Sequence, residues 1–138
     1  MIEEDLLQAW IASSVCIRGN RLLKELSFNE IIICNTLYHH GRMTATDLCN
    51  KTRLLKSQVN KVLTGMEKKQ LITRERDKSD HRRLYVSLNE SHTDVYLHEH
   101  DHVLSIMSEI KKEIGEENMK ILTDLLNRAA TVVNDLQE

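Results

Sequence analysis

Apolar residues recur along this chain with helical spacing, lose that spacing for one short stretch, and then regain it. Residues 3 to 24 carry Leu6, Leu7, Trp10, Ile11, Ile17, Leu22 and Leu23 on recurring faces, which predicts a first helix. Ser27-Phe28-Asn29-Glu30 puts a hydroxyl and a carboxylate three residues apart, so each can accept a bond from the other's backbone N–H. That capping box predicts a second helix to about His39, closed at Gly41. Thr44-Ala45-Thr46-Asp47 repeats the pattern and predicts a short third helix to about Lys51. A fourth follows over residues 55–69, with Leu55, Val59, Val62, Leu63 and Met66 expected on its buried face.

The period then shortens. Leu71-Ile72-Thr73-Arg74-Glu75-Arg76 and Leu84-Tyr85-Val86-Ser87-Leu88 alternate in part and contain β-branched or aromatic residues. With the charged tip at residues 77–82 between them, they predict a β-hairpin. Helical spacing returns after Asn89. A long helix over about 90–113 carries Val95, Val103 and Ile106, with Ile110 and Ile114 toward its end. Gly115 separates it from a last helix with Met119, Leu122, Leu126, Ala129, Val133 and Leu136 at alternating spacings of three and four. The absence of proline and the four glycines in 138 residues agree with a mostly α chain bearing one small β-hairpin wing. Three helices followed by a hairpin is the element order of a winged helix-turn-helix. The chain is expected to be one domain over 1–138. A DNA-binding lobe occupies 28–88, and dimerisation helices come from 1–25 and 90–138.

Charge sharpens this picture. The net charge is only −2, yet eleven of the 19 Lys and Arg residues lie between Lys51 and Arg83, against four of the 21 acids. One basic element between two acidic arms is the electrostatic footprint of a polyanion binder. On the fourth helix, the stripe opposite the apolar face is Ser57, Lys61, Thr64 and Lys68, flanked by Lys56, Gln58 and Asn60. These side chains can pair with base edges or phosphates: Gln and Asn with adenine, Lys with guanine or phosphate, Ser and Thr with phosphate. Arg74, Lys78, Asp80, Arg82 and Arg83 add the wing's contribution. An arginine at a hairpin tip reaches the minor groove, where negative potential is focused. Asp80 cannot attract phosphate itself, so its expected work is to aim the Arg82 guanidinium.

The element order, and residues 42–90 in particular, resemble the MarR family of bacterial winged-helix regulators. The motifs that carry the resemblance are Leu26-Ser27-Phe28-Asn29-Glu30, Thr44-Ala45-Thr46-Asp47-Leu48-Cys49 and Lys56-Ser57-Gln58-Val59-Asn60-Lys61. They continue through Met66-Glu67-Lys68-Lys69-Gln70-Leu71-Ile72-Thr73-Arg74 to the wing signature Asp77-Lys78-Ser79-Asp80-His81-Arg82-Arg83. The resemblance implies a transcriptional regulator, a repressor that binds a near-palindromic operator on double-stranded DNA as a homodimer. It also implies a small-molecule effector held between the dimer helices and the DNA-binding lobe. Three departures from the family pattern carry expectations. Gln70 stands where glycine is usual, which predicts local backbone strain or a shifted helix end. Leu55 stands where a Ser-type N-cap is common, and Lys78 where proline is frequent, which predicts a more mobile wing.

The apolar stripes of the first and last two helices are wider than one small winged helix covers, which also points to a twofold dimer. His98 and His102, four apart on one helix, are candidate metal ligands of a sensing variant. Ile31 and Ile32 stand where a family metal site would be completed, so no cofactor is expected. Cys16, two residues before Arg18, is a candidate redox-active thiol, whereas Cys34 and Cys49 fall at apolar positions expected to be inert. The alternatives to a ligand-responsive regulator are therefore a metal- or redox-sensing one, or a winged-helix protein-interaction module. No Gly-rich phosphate loop, HExxH or nucleophile motif supports an enzyme. No membrane-spanning run or signal peptide is visible, so a cytoplasmic protein is expected.

Overall fold

The computed structural model describes residues 1–18 and 23–136 and divides into two compact units, Met1–Asp101 and His102–Glu138. The first unit holds α1 (Ile2–Arg18), α2 (Phe28–His40), β1 (Met43–Thr44), α3 (Ala45–Thr52), α4 (Lys56–Lys68), β2 (Ile72–Arg76) and β3 (Leu84–Leu88). A helix α5 (Thr93–Ile114) begins in it and runs into the second unit, which also holds α6 (Glu116–Leu136). The helix expected over 3–24 is described only to Arg18, and Leu23 is buried in non-helical chain. Leu22 and the side chains of Ile17 and Arg18 lie outside the described residues.

Both capping boxes form. Ser27 Oγ accepts from the Glu30 N–H at 3.2 Å, and Glu30 Oε1 accepts from the Ser27 N–H at 2.9 Å. Thr44 and Asp47 make the equivalent pair at 3.1 and 3.2 Å. Each box satisfies two N–H groups that a helix start leaves open, and a lost N-cap typically costs about 1 kcal/mol. Glu30 does more than cap. Lys69 Nζ, just past α4, donates to both its oxygens at 3.0 and 3.1 Å, joining the start of α2 to the end of α4.

The core of the first unit is built from Ile33, Cys34 and Leu37 of α2, Leu48 of α3, and Val59, Leu63 and Met66 of α4, with Ile72, Val86 and Tyr96 closing it. Leu55 is a correction: it was expected on the buried face of the fourth helix but is 67% exposed. The helix starts one residue later, at Lys56, and Leu54 packs against the core instead. Cys34 is fully buried, and desolvation, with the charge of Glu30 adding to it, pushes its thiol up to about 12. It is therefore an inert core residue, as its apolar position suggested.

The hairpin has a third strand that the sequence did not announce. β1 pairs antiparallel with β3 (Met43 opposite Val86), and β3 pairs with β2 (Arg74 opposite Val86), giving the order β1-β3-β2. The wing is thereby stitched to the segment that enters α3.

Strain appears where the missing glycine predicts it. Gln70 has φ 63°, in the left-handed region. The Leu71 N–H donates to Met66 O at 2.9 Å and the Gln70 N–H to Glu67 O at 3.0 Å, which is a Schellman ending of α4 with glutamine at the glycine position. A left-handed conformation costs an ordinary L-residue about 1–2 kcal/mol, part of which glycine's greater unfolded-state freedom takes back. Gln70→Gly should thus stabilise the protein by about 0.5–1 kcal/mol. The check is a rise in the urea midpoint at unchanged slope; a lower midpoint contradicts the strain.

In the second unit, Gly115 (φ 87°) turns the chain from α5 into α6. Ile121, Leu122, Leu125, Leu126, Val132 and Val133 of α6 are all exposed in the single chain. No helix among the described residues is long and apolar enough to cross a membrane.

Candidate nucleic-acid interface

The outer face of α4 is fixed by which residues the core takes. With Val59, Leu63 and Met66 buried, Lys56, Ser57, Gln58, Asn60, Lys61, Thr64 and Lys68 are all exposed. None of these seven is acidic. The face therefore offers donors and positive charge, which suits a groove lined by acceptors and phosphates.

The candidates differ in how they are held. Leu55 supplies no side-chain cap, but the Gln58 carbonyl Oε1 accepts from the Leu55 N–H at 2.9 Å, so half of a capping box forms at the start of α4. Thr64 Oγ1 donates to Asn60 O at 2.9 Å and accepts from Arg74 Nη2 at 3.2 Å. Arg74 Nε also lies 3.8 Å from Glu67. Arg74 and Thr64 are thus engaged with each other, and the pair braces α4 against β2.

The wing tip is a set of turns closed by carboxylates. Asp77 Oδ1 accepts from both the Ser79 N–H and its hydroxyl at 3.1 Å. Those two bonds, the backbone one first, hold the Asp77 carboxyl below its usual range. Lys78 sits inside this turn, so side-chain bonds supply closure where the family frequently has proline. Asp80 Oδ1 accepts from the Arg82 N–H at 3.1 Å and from Arg82 Nε at 3.3 Å. The Arg82 side chain is 93% exposed, so Asp80 orients a guanidinium that projects into solvent. Arg83 is directed elsewhere: its Nη1 donates to the Tyr85 hydroxyl at 3.5 Å, and its Nε lies 4.0 Å from Asp80 Oδ2.

Three supporting residues were not read from the sequence. Arg76 Nη1 donates to His81 O at 2.8 Å across the wing tip. The Arg42 guanidinium lies over the Tyr85 ring, 4.3 Å from its centre, at the wing's base. Glu99 of α5, 1% exposed, accepts at Oε1 from the Lys24, Glu25 and Leu26 N–H groups, each at 2.9 Å. It therefore fastens the segment that leads into α2. Beside it, the buried Tyr96 donates to Asn35 Oδ1 at 2.8 Å, joining α5 to α2.

The sensing candidates gain little. His98 is exposed on α5, and no group of three or more potential metal-binding His, Cys, Asp or Glu residues occurs among the described residues. Cys16 is exposed.

The model of the MarR family matches residues 26–84, which run from the loop before α2 to the first residue of β3. Residues 26–84, the winged-helix part of the chain, are therefore similar to the MarR family. It is similar to the HTH-type transcriptional regulator FarR of Neisseria gonorrhoeae, 29% identical over 104 residues that make up 75% of this chain and 71% of that protein. It is also similar to the homoprotocatechuate degradative operon repressor of Escherichia coli, 27% identical over 133 residues, 96% of this chain and 90% of that protein. A ligand-free organohalide-sensing transcriptional regulator shares the fold with a TM-score of 0.86 at 20% identity, over 99% of this chain and 83% of that one. The chain is built as a winged helix-turn-helix, and the curated relatives it resembles here are transcriptional regulators. Regulators of the family bind DNA and small-molecule ligands.

Proposed function

We propose that this protein is a MarR-type regulator, a ligand-responsive repressor that binds a near-palindromic operator as a homodimer. α4 enters the major groove and the wing enters the adjacent minor groove. The observation that carries the reading is the pairing of a polar, lysine-bearing α4 face, whose one acid Glu67 lies beside Arg74, with Arg82, held outward by Asp80. A protein-interaction module has no need of either feature. Ser57, Asn60 and Lys61, near the start of α4, are the base and phosphate contacts, with Lys56 and Lys68 on phosphates. Lys78 and Arg83 add charge beside Arg82. The names of the homoprotocatechuate operon repressor and the organohalide-sensing regulator support the effector, a small organic molecule. Such a molecule releases DNA only by binding the DNA-incompetent form more tightly.

Exposed apolar side chains support the dimer. Leu6, Leu7, Trp10, Ile11 and Val15 of α1 and the α6 residues described above would be wasted on water in a monomer. Leu126→Asp should therefore shift the chain toward monomer at micromolar concentration. Sedimentation velocity checks this, and an unchanged dimer would remove α6 from the interface. The function itself is tested by fluorescence-anisotropy titration of DNA from upstream of its own gene, beside random DNA, at several salt concentrations. Tight, salt-dependent binding with a large preference for the upstream DNA is expected. Weak binding without preference contradicts the reading.

A further inference from the structure

The hydrogen bond at the start of α4 restricts what Gln58 can say to a base. A free glutamine recognises adenine by using both ends of its amide, accepting from N6 and donating to N7. Gln58 Oε1 already accepts one bond from the backbone of its own helix start, which leaves a single lone pair and a tethered orientation for any base, whereas both N–H groups of Nε2 are available. The Leu55 N–H is unambiguously a donor, so the atom 2.9 Å from it must be the amide oxygen, whichever way the amide is drawn. The Nε2 amino group makes no hydrogen bond among the described residues, and the side chain is exposed. Gln58 is the third residue of α4, and the N-terminal residues of a recognition helix are the ones that meet base edges.

We infer that Gln58 reads chiefly as a donor and selects guanine over adenine at one position of each half-site. Guanine shows two major-groove acceptors, N7 and O6, which the two N–H groups of Nε2 can share. Adenine shows N7 beside its own N6 amino group, so an amide that presents its donor end, with Oε1 tethered to the Leu55 N–H, leaves N6 poorly paired. Thymine, with O4 as an acceptor, is the second choice. The inference rests on the regulatory reading above and refines it: the same residue, held by the same fold, changes its base when its oxygen is tied back.

The experiment is selection of the full-length protein on a random duplex library, followed by competition with each base at each selected position. Gln58→Ala marks the position that Gln58 reads. There the unmodified protein should prefer guanine over adenine about tenfold, within the range of one good base contact. Two further variants separate the amide's ends. Leu55→Pro removes the N–H that holds Oε1 while keeping a backbone φ of −68° that suits proline. With its circular dichroism unchanged, it should move the preference at that position toward adenine. Gln58→Glu keeps an acceptor for the Leu55 N–H but has no donor, so the guanine preference should vanish while α4 stays folded. Adenine preferred by the unmodified protein, guanine retained by Gln58→Glu, or no position responding to Gln58→Ala would overturn the inference. Failure of the unmodified protein to enrich any sequence would overturn the regulatory reading and this inference with it.

Discussion

Arg82→Ala should weaken binding to duplex DNA by about tenfold or more and flatten its salt dependence, with folding unaffected. The side chain makes no contact that the core uses: it projects from the wing tip and its recorded partner is Asp80. Its loss therefore leaves thermal stability near the parent value, because exposed ion pairs contribute little. In the groove the same guanidinium displaces condensed counterions, each worth about 0.9 in the slope of log K against log salt. With one wing per protomer, the slope of a dimer should fall by roughly two. Two controls sharpen the result. Arg82→Lys keeps the charge but loses the planar fork that Asp80 holds, so its affinity should fall between the two. Asp80→Ala removes a negative charge near DNA and would tighten binding if charge alone mattered. Loss of aim predicts weaker binding instead. An anisotropy titration across salt decides all three, and an unchanged slope for Arg82→Ala would take the wing off the DNA.

Glu99→Ala should destabilise the protein by about 3 kcal/mol, the largest effect on folding expected for a single side chain outside the apolar core. One carboxylate oxygen serves three successive N–H groups, and the bond to Leu26 is buried. Hydrogen bonds to a charged acceptor contribute more than neutral ones, and alanine would leave those donors without it. Glu99→Gln retains one carbonyl acceptor and should lose less, on the order of 1 kcal/mol. Urea unfolding followed by circular dichroism measures both. A loss below about 1 kcal/mol for the alanine variant would mean that water replaces the carboxylate at little cost. The functional link is that residues 24–26 lead into the Ser27 capping box, so weakening Glu99 also loosens the entry to α2.

The parts of this protein that were legible in its sequence are those whose chemistry is local. Ser27 with Glu30 and Thr44 with Asp47 announce helix starts because both partners lie within one turn. Gln70 announced strain because only backbone geometry was at stake, and its φ of 63° bears this out. Asp80 and Arg82, two residues apart, meet as their spacing suggested. What escaped the reading depends on distant partners or on phase. β1 is two residues long, too short to display any period. Leu54 and Leu55 are adjacent and alike, so a one-residue change in the helix start decided which is buried. Glu99 resembled one more acid on a solvated helix because the three N–H groups it accepts from lie more than 70 residues away. The half capping box of Gln58 was hidden because a leucine, not a serine, precedes it at the cap.

Helix α4 is moored at both ends: Gln58 closes its first turn onto Leu55, and Lys69 ties its exit to Glu30. Such a helix loses its conformational freedom during folding rather than at the groove. In the proposed role it would meet DNA as a template of fixed pitch, its terminal turns held against unwinding at a poorly spaced site. An operator with one base pair inserted between its halves must then be met by twisting the DNA or by rearrangement elsewhere in the chain. Intolerance of spacing would be a property of these two small polar clasps as much as of the bases themselves.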